Sequence, residues 1–464
     1  MRRRALLTFV IAAVLAAACG TDSRGGEQAT QAEPEQTASG RVVTPPKLAG
    51  LSLADPKVVV PAGALNPTVA LDKASGTLYL AFTREVPGPD PTEPVLQAVV
   101  ARSTDRGQTF SEPVVVNGPA ERVDSSVVSP THVAVGPEGE VYVLYQHNVD
   151  SDYDEYGLSY LRLVRSEDRG STFSAPVAIA GPAVEGVTTT MSMASLFVAP
   201  DGDLFISFID DREELAAKIA GLPEPDAHDH DAVLPAVHLR TVRSGDGGRT
   251  WGRSVLVAKP MCACCGTRMA QGGDGPLFAT TRSAFLELKD SYDAVRDPIL
   301  STSADDGATW SEATKIHDDN FKISACPDVS AGLAVDSTGR LHAAWYTGTE
   351  AHPGVFYAVS DDDGKTFTTP ATLLTGEWVP YGDVKLALDG DDHAWIAFED
   401  RRADEDQIRL VRMDPRGRAA FSKAWTGTAP DVTAGDDFAV VTWASQGEHD
   451  AAGAVGVLVA GPGT

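Results

Sequence analysis

The residues best equipped for chemistry in this 464-residue chain are Cys262, Cys264 and Cys265, gathered in the string Met261-Cys-Ala-Cys-Cys-Gly266. With Cys326 they supply four sulfurs besides Cys19, an even number that reads either as two disulfides or as a thiolate metal site. Two bridges would require one to close inside Cys-x-Cys-Cys, a small and strained ring. Soft sulfur ligands instead favour Cu or Zn, and Met191, Met193, Met261 and Met269 are the thioethers available to assist them. His228 and His230 form a second candidate, a His-x-His pair among acids that titrates near neutral pH. Asp361 to Asp363, Asp318 with Asp319, and Asp389 with Asp391 and Asp392 read as turns and solvated edges.

Such residues act together only if the fold brings them together, and the sequence shows a repeat. The strings STDRGQTF (103–110), SEDRGSTF (166–173), SGDGGRTW (244–251), SADDGATW (303–310) and SDDDGKTF (360–367) all fit Ser-x-Asp-x-Gly-x-Thr-aromatic. Ser and Asp side chains accept hydrogen bonds from turn N–H groups, and Gly takes the positive φ of a tight turn. Around each string the chain repeats four short alternating runs with turn residues between them, the pattern of half-buried antiparallel strands. The units begin near Pro67, Pro130, Met191, Gly266, Asp328 and Asp383, and MDPRGRAAF carries a decayed sixth copy at Asp414 and Gly417.

These strings resemble the Asp-box, or bacterial neuraminidase repeat, of the sialidase superfamily of β-propellers, over most of the chain from about 60 to 425. The resemblance implies an all-β fold, a β-propeller of four-stranded antiparallel blades spanning residues 51–464. Three C-terminal runs (431–460) and the lone run PKVVVP (56–61) would complete one further blade, closed by the N-terminal strand. That counts seven blades, with six as the alternative. It also puts the boxes on one face and the mouth on the other, where second strands end at Arg84, His147, Asp210, Asp211, Arg212, Arg282, Tyr346, Glu399, Asp400 and Arg401. Cys262 to Cys265 and Cys326 precede the innermost strands of adjacent blades, and so fall at that mouth.

The family hydrolyses glycosides with an arginine cluster, a Tyr nucleophile activated by Glu, and an Asp acid/base. The resemblance carries over Tyr381 as nucleophile and Arg282 as the second arginine, with Glu399 as the catalytic carboxylate if the chain is a hydrolase. Asp210, Arg212, Arg282, Tyr346, Tyr381 and Arg401 would line the ligand. However, Leu65-Asn66-Pro67 stands where the family has Arg-Ile-Pro, and Cys264 or Cys265 stands at the activating Glu. Losing charge-assisted contacts to a substrate carboxylate costs several kcal/mol of transition-state binding. The reading is therefore a binding module for a glycan, small ligand, metal or protein partner. A glycosidase of the retaining, exo-sialidase-like type, acting on a cell-surface or extracellular glycan, is the alternative.

Arg2 to Arg4, the apolar run Ala5 to Leu15 and the string LAAAC resemble a lipoprotein signal, residues 1–18, with Cys19 lipidated. Residues 19–50, rich in Gly, Ser, Thr, Gln, Glu and Pro, read as a flexible spacer. This places the protein in the bacterial cell envelope, anchored outside the cytoplasmic membrane. With 38 Lys plus Arg against 65 Asp plus Glu, the net charge of −27 repels phosphate backbones, so no nucleic-acid partner is expected.

Overall fold

The computed structural model describes residues 42–89, 94–152, 157–179, 183–184, 187–188, 190–221, 237–259, 261–262, 265–283, 295–323, 327, 329–380, 382–445 and 452–463. Cys19, Cys264, Cys326, Tyr381, His228 and His230 lie outside them. Among the described residues the fold is all-β but for one short helix, Arg212–Ile219, which follows the strand Leu204–Asp210.

Every paired strand is antiparallel. Five sheets of four or five strands follow one another along the chain, beside one eight-stranded sheet and a two-stranded ladder. The eight-stranded sheet joins strands remote from one another in sequence. The strand Lys57–Asp72 pairs through its first half with Gly453–Pro462, with Lys57 opposite Val457, and through its second half with Thr77–Val86. The run PKVVVP thus covers an edge that would otherwise offer unpaired N–H and C=O groups.

The second strand of each sheet explains why these segments cohere. Leu204–Asp210, Leu277–Arg282, Leu341–Thr347 and Ala394–Asp400 are buried along their whole length, because both faces of each sheet are covered by neighbours. The core is a succession of layers between consecutive sheets. Tyr79 and Ala81 pack with Val143 and Tyr145, Leu144 with Ile206 and Phe208, and Phe205 and Ile209 with Leu277 and Ala279. Phe278 and Leu300 meet Ala343 and Trp345, Tyr346 and Val355 meet Ile396 and Phe398, and Trp395 meets Val441 and Trp443. Val440 and Val457 then pack against Leu78 of the first unit.

The five boxes share one set of bonds. In the first, Ser103 Oγ donates to Asp105, the Gly107 N–H donates to Ser103 Oγ, and Thr109 donates through both N–H and Oγ1 to the Asp105 carboxylate. The same bonds recur around Asp168, Asp246, Asp305 and Asp362. Each box glycine has positive φ and presses on the preceding unit, which for Gly107 is the C-terminal part of its own eight-stranded sheet. A Cβ on Gly364 would come within 2.3 Å of Leu300, and one on Gly107 within 3.2 Å of Val457. The decayed box keeps a different turn, in which Asp414 accepts the N–H groups of Arg416 and Arg418.

Residues 42–50, the last of the segment read as a spacer, run against outer strands. Val43 bridges Ala371, Lys47 bridges Ala419, and Val42 packs on the Trp345 layer.

Candidate functional site

Where the innermost strands begin, three of them depart from regular pairing in the same way. Their registers shift between Leu65 and Thr68, Ser192 and Ser195, and Thr428 and Asp431. At each shift one residue takes positive φ: Asn66 at 48°, Met193 at 50° and Ala429 at 46°. Asn tolerates this region, whereas Met and Ala are strained there, and such strain collects at sites where a side chain must be re-aimed. The odd conformations are held by side chains across sheets. Ser125 Oγ accepts from Asn66, Ser129 Oγ accepts the Met193 N–H at 2.9 Å, and Glu399 Oε1 accepts the Ala429 N–H at 2.8 Å.

The same strand starts gather a charged cluster from sheets remote in sequence. Arg268 forms an ion pair with Asp383, Lys385 Nζ lies 3.3 Å from the same carboxylate, and the Ser330 N–H donates to its other oxygen at 2.7 Å. Asp431 accepts the Val69 N–H at 2.9 Å. The carboxylate of Asp383 is fully buried, while Arg268 and Lys385 keep 15% and 12% of their side chains open to solvent. Burial works against the charge of Asp383, yet Arg268 and then Lys385 outweigh it and hold the carboxyl down at about 2. Asp431 is raised, because burial dominates despite Lys385. His132 is pushed down to about 3 by burial and by the nearby Arg268 and Lys385, so its ring is neutral at pH 7. Its Nε2 is buried without a hydrogen-bond partner.

None of these five residues stood among the sequence candidates. The signal available was only the position of Arg268, Asp383 and Lys385 beside the predicted starts of the fourth and sixth blades.

The predicted residues lie as follows. Arg282 is fully buried, and donates from Nε to the Val329 carbonyl, from one terminal nitrogen to Arg296 and from the other to Tyr346. The guanidinium therefore ties the fourth sheet to the fifth. Tyr346 is buried, its hydroxyl donates to the Trp378 carbonyl, and burial pushes it up to about 12. Glu399 is buried and its backbone carbonyl accepts the Trp378 indole N–H at 3.1 Å. Asp210 is buried between Arg212 and Arg240, with Arg212 Nε at 2.5 Å. Arg401 pairs with Asp406 at 2.9 Å and donates to the Val379 carbonyl. The structure brings Glu399 to the Ala429 bulge, beside the charged cluster through Asp431, while Asp210 and Arg401 are engaged in pairs within their own sheets.

Cys262 and Cys265 are fully buried with their sulfurs 2.9 Å apart, and the Cys262 N–H donates to the Arg282 carbonyl. Met193, Met261 and Met269 belong to one apolar layer between the third and fourth sheets, and Met191 to the layer before it. Gly266, next to Cys265, sits close enough to Asp383 that a Cβ would meet the carboxylate at 3.1 Å. The cysteine segment and the charged cluster are thus adjacent. Among the described residues, two clefts of about 500 Å³ lie elsewhere, lined by residues in and beside the boxes such as Arg102, Thr109 and Arg169, or Glu167, Gly247 and Arg249.

No protein-family model matches the sequence, and no curated protein is similar to it. Solved structures are. A Dyadobacter fermentans protein of unknown function shares 13% identity at a TM-score of 0.54, over 89% of this chain and 100% of that one. An ulvan lyase of polysaccharide lyase family 25, bound to -[GlcA(1-4)Rha3S]-, shares 11% at 0.51, over 89% and 96%. An α-L-arabinofuranosidase of Fusarium graminearum, in complex with an iminosugar inhibitor, shares 13% at 0.50, over 88% and 97%. The likeness is one of fold.

Proposed function

We propose that this chain is a seven-bladed propeller of the sialidase-like kind, lipid-anchored at Cys19 outside the cytoplasmic membrane, whose mouth binds a glycan carrying acidic groups. The blade count rests on the eight-stranded sheet, which reads as two blades sharing Lys57–Asp72, and on the packing of the last layer against the first. The observation that carries the function is the charged cluster at the strand starts. Arg268 and Lys385 both lie against the one carboxylate of Asp383, two cationic side chains on a single anion in a chain of net charge −27, although burial and Arg268 lower Lys385 as burial raises Asp431. Paired cations that keep part of their side chains open to solvent suit a carboxylated or sulfated sugar, and two of the similar folds belong to proteins whose names are those of a polysaccharide lyase and an arabinofuranosidase.

Binding is preferred to sialidase-type hydrolysis because Asn66 replaces the first arginine and Arg282 is bonded to three carbonyls. The test is calorimetric titration with uronate- or sulfate-bearing oligosaccharides against neutral ones. Acidic ligands should bind, and Arg268→Met or Lys385→Met should weaken them at least tenfold, the order expected for one charge-assisted hydrogen bond of about 1.5–3 kcal/mol. Equal binding of neutral sugars, or variants that bind like the parent, would refute it. Release of label from aryl glycosides that disappears in Tyr381→Phe would establish the hydrolase reading instead.

A further inference from the structure

His317 and Asp319 lie on the segment that leaves the outermost strand of the fourth sheet, Thr314–Lys315, and His352 lies in the turn between Leu341–Thr347 and Gly354–Ser360 of the fifth. The two sheets thus bring a 2-His-1-carboxylate set together across their junction, with one ligand atom from each residue within 4.8 Å of the others. Asp319 Oδ1 is 2.7 Å from His317 Nδ1 and 3.7 Å from His352 Nε2. Neighbouring ligand atoms of a tetrahedral zinc stand about 3.3 Å apart, and the two separations straddle that value.

Several features make this more than a chance hydrogen bond. The Trp345 indole N–H donates to Asp319 Oδ2 at 2.8 Å, which fixes the carboxylate so that Oδ1 faces both rings. An outer partner that orients a ligand in this way is a regular part of metal sites. His352 Nε2 is buried with no hydrogen-bond partner, although it points at an anionic oxygen. The carboxylate is buried, while the two imidazoles keep 15% and 13% of their side chains open to solvent, so an ion has a way in. Lys315, the nearby cation, is drawn aside by Asp297 at 2.8 Å and by Asp318.

We propose that His317, Asp319 and His352 form a binding site for a divalent transition cation of the zinc class, distinct from the cysteine segment and from the charged mouth. Nitrogen and carboxylate donors suit Zn²⁺, Cu²⁺ or Co²⁺ rather than Ca²⁺, which takes six to eight oxygens. Three protein ligands leave the fourth position for water, and the ion clamps the fourth and fifth sheets together.

The full chain with residues 1–18 removed and Cys19 replaced by Ser, stripped with a chelator and dialysed, is titrated with Zn²⁺ by calorimetry and with Co²⁺ by visible absorbance. The expected result is one equivalent bound, a tetrahedral Co²⁺ band, and a raised melting temperature on Zn²⁺ addition. His352→Ala should weaken binding at least tenfold and abolish the band while the apo melting curve stays unchanged. Asp319→Asn should behave alike, and the double variant Cys262→Ser/Cys265→Ser should keep both the equivalent and the band. The proposal fails if no equivalent binds, or if it survives His352→Ala. It also fails if the equivalent vanishes in the cysteine variant, which would assign the ion to sulfur. Should Asp319→Asn not fold, the His352→Ala result alone decides.

Discussion

Arg282 shows how a residue's role depends on what its hydrogen bonds meet. Its three donors end on carbonyls from two sheets, in a place without solvent. Arg282→Met leaves those acceptors without donors, and should lower unfolding free energy by about 3 kcal/mol or more in a denaturant titration. A variant as stable as the parent would mean that the guanidinium is free to serve a ligand. The box aspartates make a second case. Hydrogen bonds from the box Thr and Ser hold Asp105 and Asp168 at about 2, below the ordinary carboxylate range, with Asp305 and Asp362 lowered too. Their contribution is present in full above the unfolded value near pH 4 and is lost as pH falls through 2. The melting temperature should therefore drop steeply between pH 4 and pH 2, and Asp→Asn at these four positions should flatten that slope. The boxes were legible because Ser, Asp, Gly and Thr act within eight residues of one another. The cluster of His132, Arg268, Asp383, Lys385 and Asp431 was not, since isolated charges on different strands carry no local pattern. Asp319, read as part of a solvated turn, is in fact buried under Trp345.

At the scale of elements, alternation of apolar residues announced the strands, and five of the six inner-strand starts fall within a few residues of the positions read from the repeat, whereas the first strand already begins at Lys57, well before Pro67. The lone run PKVVVP was likewise expected to pair with the C-terminal strands, and Lys57 and Val58 lie opposite Val457 and Gly456. What alternation does not encode is the irregular backbone at Asn66, Met193 and Ala429, which depends on bonds from other sheets. Deleting residues 51–60 strips the cover from Gly453–Pro462, a strand whose middle, Val455 to Leu458, is buried. The truncated chain should melt at lower temperature and self-associate on size-exclusion chromatography. A monomer with the parental melting curve would contradict the role given to this strand.

For the molecule as a whole, charge and attachment are linked. A net charge of −27 keeps copies apart in solution, and a lipid at Cys19 would hold so acidic a body near a membrane only through its acyl chains. On that proposal Cys19→Ser should move the protein from the detergent phase to the aqueous phase in a partition assay, with its melting curve unaltered. Parent protein already confined to the aqueous phase would overturn the anchor.

The shared sheet of Lys57–Asp72 and Gly453–Pro462 also imposes a chronology. A ribosome makes the first of these strands long before the second, so the seam stays open while every intervening unit is being synthesised. Local hairpins can form early, but closing this seam must wait for Gly453–Pro462, a long-range pairing of the kind that slows folding and leaves intermediates exposed while the chain matures.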